Sequence, residues 1–141
     1  MTEAAGTRLV RLRVPAVSDR LRLIRSVVRD AAVISGCSDG CAEDIVIAVN
    51  EACMNVLEHG YRERQDGDLI LDLAVSGGEL VVEIVDFAPP VDPQVLRPRP
   101  IEELRPGGLG THFMHECMDR VVFLTPPEGA GNRLRMVKRI A

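Results

Sequence analysis

The sequence predicts an α/β two-layer sandwich, with helices covering one face of a mixed, mostly antiparallel sheet. Three observations point there. Near-alternating apolar residues recur at 7–14, 68–75 and 79–86, the spacing of half-buried strands. Two patterns of helical period lie between the first and second of these, and their apolar stripes need a core. The turn Ser76-Gly77-Gly78 joins two strands as a hairpin. At 141 residues, 1–141 is one domain, long enough to bury that core without staples.

Thr7 to Val14 forms the first strand, ended by Pro15. Ser18-Asp19 can cap a helix carrying Leu21, Ile24, Val27, Val28 and Ala31 on one face. Its other face holds Arg20, Arg22, Arg25 and Arg29, either as a solvated surface or as a dock for an acidic protein, since guanidinium forks match carboxylates. After the turn Ser35-Gly-Cys-Ser-Asp-Gly40, Ser38 or Asp39 caps a long helix that runs to about His59 and ends at Gly60. Its stripe is Ile45, Val49, Ala52 and Val56.

The strand Glu79 to Asp86 ends on an acidic residue. Residues 87–107 then hold six of the nine prolines and read as irregular, apart from a helical turn at Ile101 to Leu104. Loops of this length inside compact domains tend to be lids or binding loops. This one, taken as 87–110, closes in Gly107-Gly108-Leu109-Gly110, directly before a helical pattern of Phe113, Met114, Cys117, Met118 and Val121. Glycines opening a helix allow close backbone approach, and exposed amides there attract phosphate; the plainer reading is a hinge before a helix cap. Residues 121–125 make a fourth strand, Pro126 to Gly131 turn the chain, and Asn132 to Ile140 form the last strand.

Composition excludes several functions. A net charge of −4 argues against nonspecific nucleic-acid binding. Lys138 is the only lysine among seventeen basic residues, which rules out a Walker-A loop and the eukaryotic-type kinase scheme. Any phosphate must be held by backbone amides, arginine or metal. No stretch approaches the roughly twenty apolar residues of a membrane span, and the first residues lack the basic and apolar regions of a signal peptide. Cys37, Cys41, Cys53 and Cys117 form no paired zinc-type units, and three fall in or beside helices, where free cysteine behaves as a small apolar residue. The expected compartment is the reducing cytoplasm.

Glu51 and Asn55 stand four residues apart on the long helix, so they point the same way, with Glu58 along the same edge. A carboxylate and a carboxamide so placed can share the work around a nucleotide, the amide oxygen binding Mg²⁺ and the carboxylate taking a proton. They can equally form a solvated helix edge. Three pieces stand in order: Glu51-x-x-x-Asn55 on a helix, Asp86 at a strand end, and Gly107-Gly-x-Gly110 after a lid. With the strings Ile47 to Tyr61, Gly107 to Asp119 and Gly131 to Ile140, they resemble the Bergerat or GHKL ATPase fold of gyrase, histidine kinases and MutL. More narrowly, nearly the whole chain is similar to the small bacterial anti-sigma-factor serine kinases of the RsbW/SpoIIAB type.

That resemblance implies roles. Asn55 would coordinate Mg²⁺ bridging the phosphates of ATP, and Glu51 would be the general base accepting the proton of an attacking serine hydroxyl. Asp86 would accept a hydrogen bond from the adenine amino group, with Ala88 where the family usually has glycine. Gly108 and Gly110, with Leu109 and Thr111 beside them, would lie against the nucleotide as the lid closes. The box Asp86-Phe-Ala-Pro-Pro90 departs from the family's Asp-x-Gly-x-Gly, or its looser Asp-x-Gly-Pro-Pro form, because both glycines are missing. Arg25 sits where the family meets its protein partners. The implied activity is a Mg²⁺- and ATP-dependent serine kinase that sequesters a sigma factor and phosphorylates a STAS-domain antagonist, working as a homodimer. Two alternatives follow from the same residues. One is a catalytically silent module that only captures a partner; the other is an ATP hydrolase or histidine-kinase module, for whose extra domains the chain leaves no room.

Overall fold

The computed structural model describes residues 6–62, 64–90 and 114–140. Their elements are β1 (Thr7–Pro15), α1 (Leu21–Ile34), α2 (Asp39–Asn55), β2 (Asp68–Ser76), β3 (Glu79–Asp86), β4 (Arg120–Leu124) and β5 (Asn132–Arg139). The strands form one sheet in the order β1-β2-β3-β5-β4. All four pairings among the described residues are antiparallel, so the parallel component expected of a mixed sheet does not occur there.

Period-two patterning sorts the strands into two faces. Leu71, Leu73, Leu80, Val82, Ile84, Leu134 and Met136 are buried in one core with Ile24 and Val28 of α1 and Ile45, Val49 and Ala52 of α2. The alternate residues Asp72, Glu83 and Arg135 lie in register on the opposite face. There Glu83 accepts from both Arg133 and Arg135, Arg8 pairs with Asp72 at 3.1 Å, and Arg120 with Glu79. The β2–β3 hairpin turns through Gly77 (φ 56°) and Gly78 (φ 79°), the two positive values a tight two-residue hairpin needs.

Ser38 caps α2 as expected, its hydroxyl accepting from Cys41 N at 3.1 Å. Ser18 and Asp19 do not cap α1. They form a 3₁₀ turn, Ser18–Arg20, and the Asp19 carboxylate is taken by Arg20 at 2.6 Å. Val121 belongs to β4 and not to the preceding helix. Helical geometry covers only 114–117 among the described residues, and Asp119 N already donates to Val137 O of the sheet at 2.8 Å.

Candidate functional site

The site begins where α2 stops being a regular helix. Val56–Gly60 is a π-helical turn, closed by Tyr61 N donating to Val56 O at 2.8 Å. Such single turns re-aim the residues around them and recur at functional sites. Tyr61 then ties this end of α2 to the sheet: its hydroxyl donates to Asp68 O and accepts from Phe87 N, each at 2.8 Å. Gly67 is required beneath the ring, since a Cβ there would stand 2.2 Å from Tyr61 Cε1. The segment after α2 is thereby tied to the start of β2 and the end of β3.

Between them lies a recess of about 70 Å³. Ala52, Val56, Ile84, Phe123 and Leu134 supply apolar walls; Asn55, His59, Asp86 and Asn132 supply the polar groups. A mostly apolar cleft with a few convergent polar groups is the usual form of a small-molecule site. Asp86 and Asn132 are the two buried polar residues among the described residues, 4 % and 7 % exposed. They face each other in register across β3 and β5. Asn132 Nδ2 donates to Asp86 Oδ1 at 2.9 Å and to Pro89 O at 3.1 Å, and Ala88 N donates to the same Oδ1 at 3.0 Å. Burial pushes the Asp86 carboxyl above the usual range, while the Asn132 and Ala88 donors pull it back. The described bonds converge on one oxygen of a carboxylate that has two, each able to accept twice.

Asn55 supplies the second signal. Its Nδ2 is buried and has no hydrogen-bond partner among the described residues. Leaving a buried amide unpaired costs about 1–3 kcal/mol, so such a group marks a place where a ligand completes the structure. A half-turn of the amide presents oxygen in place of nitrogen, as a hard cation requires. One turn earlier, Glu51 is half-buried, and burial followed by the Glu58 charge raises its carboxyl above the usual range. A carboxylate so raised is a better proton acceptor. The residues present therefore fit a Mg²⁺-bound nucleotide.

Among the sequence-predicted residues, the structure brings Asn55 and Asp86 to one recess and sets Glu51 on the same helix, one turn away. Ala88 lies outside the lining: it is 2 % exposed, and its methyl packs on Gly60, where an added Cβ would stand only 3.1 Å from it. The box's missing glycine thus adds no bulk to the recess walls. Gly108, Leu109, Gly110 and Thr111, with nearly all of the lid, lie outside the described residues. Arg25 is not among the residues lining the recess; it is half-buried on α1 and donates to Asn50 Oδ1 of α2, the residue before Glu51, at 2.9 Å. Arg29 pairs with Glu43 at 3.2 Å, so the arginine face is partly engaged with its own chain.

Sequence reasoning missed Asn132, His59 and Tyr61. Asn132 had been only the first residue of a strand, and its meeting with Asp86 depends on a strand register that no local pattern carries. His59 is exposed, as a surface histidine should be, yet lines the recess.

The recess, the π-turn that ends α2 and the antiparallel sheet suit a small-molecule-binding class, and comparison identifies it. Residues 14–138 match the histidine kinase-like ATPase domain, and the chain belongs to that family, for which ATP binding is implied. Within it, the chain belongs with the RsbW-type proteins. It is 31% identical over 120 residues to the serine-protein kinase RsbW of Bacillus subtilis, covering 79% of this chain and 75% of the relative. It is 31% identical over 137 residues to RsbW of Halalkalibacterium halodurans, covering 92% and 82%. The anti-sigma F factor of Clostridium botulinum is 32% identical over 102 residues, covering 68% and 69%. The solved RsbU and RsbW domains of a Mycobacterium tuberculosis protein share the fold, with a TM-score of 0.63 at 19% identity over 94% of this chain; the match spans 33% of that chain.

Proposed function

We propose that the chain is an ATP-dependent protein serine kinase that also acts as an anti-sigma factor. In one state it holds a sigma factor; in the other it phosphorylates a serine of a STAS-domain antagonist. The observation that carries this reading is the unpaired Asn55 amide in the same recess as the Asp86–Asn132 pair. Asp86 accepts from the amino edge of adenine, and Asn132 holds its carboxylate in place. The Asn55 amide oxygen holds Mg²⁺, which when bound offsets charge on the phosphates. Glu51 takes the proton of the serine hydroxyl as the phosphoryl group transfers. Gly108, Leu109, Gly110 and Thr111 cover the phosphates.

Arg25, on the first helix, serves the partner surface, and the chain works as a homodimer in the cytoplasm. No helix among the described residues is long and apolar enough to cross a membrane. The partner-only module drew its support from the lost glycine at Ala88, and the packing of that methyl on Gly60 removes the support.

The test is transfer from γ-labelled Mg·ATP to candidate STAS-domain proteins. The expected product is acid-stable phosphoserine on the STAS protein, absent when its acceptor serine is alanine. Nucleotide binding with no transfer to any candidate, or acid-labile label on histidine, would overturn the kinase assignment.

A further inference from the structure

At the opposite end of α2 from the recess, two thiols touch. The Cys41 thiol donates to Cys37 Sγ at 3.2 Å. Both residues are half-buried, so a small oxidant can reach them. The backbone on each side is already fixed. Cys37 N donates to Ala32 O at 3.0 Å, Gly36 takes φ 100° to end the turn, and Cys41 N is held by the Ser38 cap. Cys37 lies in the turn between α1 and α2, and Cys41 in the first turn of α2, so the two sulfurs are held in contact by backbone hydrogen-bonded on each side. They must close only from 3.2 Å to the roughly 2.05 Å of a disulfide.

Neither metal binding nor core packing accounts for this pair. A structural zinc site needs about four ligands, and the described residues contain no group of three or more metal-type side chains. Simple core packing accounts for Cys53, which is fully buried with its thiol pushed up to about 12, but not for two half-exposed sulfurs in contact. Cys117 is occupied elsewhere, beside Asp44.

We propose that Cys37 and Cys41 form a reversible oxidation site, closing an intramolecular disulfide in response to a disulfide oxidant such as oxidised glutathione. One thiolate attacks oxidised glutathione, forming a mixed disulfide and releasing one reduced glutathione. The neighbouring thiol loses its proton and displaces the second, so two protein thiols are oxidised as one glutathione disulfide becomes two thiols. Burial and the neighbouring Cys41 thiol push Cys37 up to about 11. Ser35 and Lys138 act against that rise, yet little thiolate forms on Cys37 at neutral pH. The bond staples the α1–α2 turn to the first turn of α2.

The experiment equilibrates the full chain anaerobically in glutathione buffers of graded poise, alkylates the free thiols and reads intact and peptide masses. The expected result in oxidising buffer is a species lighter by two hydrogens, with only Cys53 and Cys117 alkylated. Its melting temperature should rise by roughly 5 °C. Cys37→Ser and Cys41→Ser each abolish the species, and Cys117→Ser leaves it. Four alkylated cysteines at every poise, glutathione on a single cysteine without closure, or a bond involving Cys117 in the wild-type chain would overturn the proposal.

Discussion

Strands β3 and β5 carry acidic and polar residues on both of their faces, and the two faces treat them differently. On the helix-free face, Glu83 accepts from Arg133 and Arg135 within a row of ion pairs. On the helix-covered face, three residues along at Asp86, the carboxylate has no arginine partner among the bonds described. It rests on one backbone amide and one carboxamide, beside an Asn55 Nδ2 that has no hydrogen-bond partner among the described residues. Three residues along one strand thus separate a carboxylate that is already matched, Glu83, from polar capacity held in reserve at Asp86. Matched charge steadies a sheet; reserved capacity is what a ligand can use. The difference arises from alternation along the strand, since each register step flips a side chain from one layer to the other.

Four substitutions sharpen that contrast, from large effects to small. Glu51→Gln should lower phosphotransfer by about 10²–10⁴-fold while Mg·ATP affinity holds, because only proton acceptance is lost. Single-turnover kinetics beside a binding curve check this; equal loss in both would place Glu51 in binding instead.

Asp86→Asn should weaken ATP binding about 10–100-fold, the value of a hydrogen bond to a charged group. Its stability should move the other way. Burial raises the folded-state value of Asp86 above 3.8, so ionising it costs the folded protein. That cost is absent below about pH 3.8 and grows as pH rises through the raised value. At pH 7 the variant therefore melts no lower than the wild type, and the two curves converge on acidification. A variant that melts lower at pH 7 and stays lower in acid would show that Asp86 serves the fold and not a ligand.

Gly131→Ala tests the clamp between the two strand ends. The new Cβ would stand 1.7 Å from Ala88 O, so the segment after Asp86 must move. The expected cost is about 1–3 kcal/mol, with weakened nucleotide binding, both measurable by denaturant titration with and without ATP. Glu83→Gln, on the other face, should cost about 1–3 kcal/mol in stability, because its part-buried carboxylate serves two arginines, and leave ATP affinity unchanged. A clear loss of ATP binding there would break the division between faces.

Local chemistry made much of this legible. The four-residue spacing of Glu51 and Asn55 is a property of any helix, and the acidic end of β3 could be read directly from Glu79 to Asp86. The hairpin at Gly77-Gly78 was written in its glycines. What stayed hidden was non-local. Asn132 gains its meaning from pairing with a residue 46 positions away, and Tyr61 from reaching both Asp68 and Phe87. Ala88 read as a damaged glycine, because the compensating space at Gly60 lies on another element. Ser18 and Asp19 had the composition of a cap, but Arg20 competes for the carboxylate.

The central claim is that the recess under α2 takes a metal-bound nucleotide through Asn55. It is tested most directly by calorimetric titration of wild type and Asn55→Ala with ATP, with and without Mg²⁺. Mg²⁺ should tighten binding in the wild type, and Asn55→Ala should lose most of that gain while keeping metal-free binding. Folded wild-type protein that binds no nucleotide at millimolar concentration, or a variant whose Mg²⁺ dependence is intact, would contradict it.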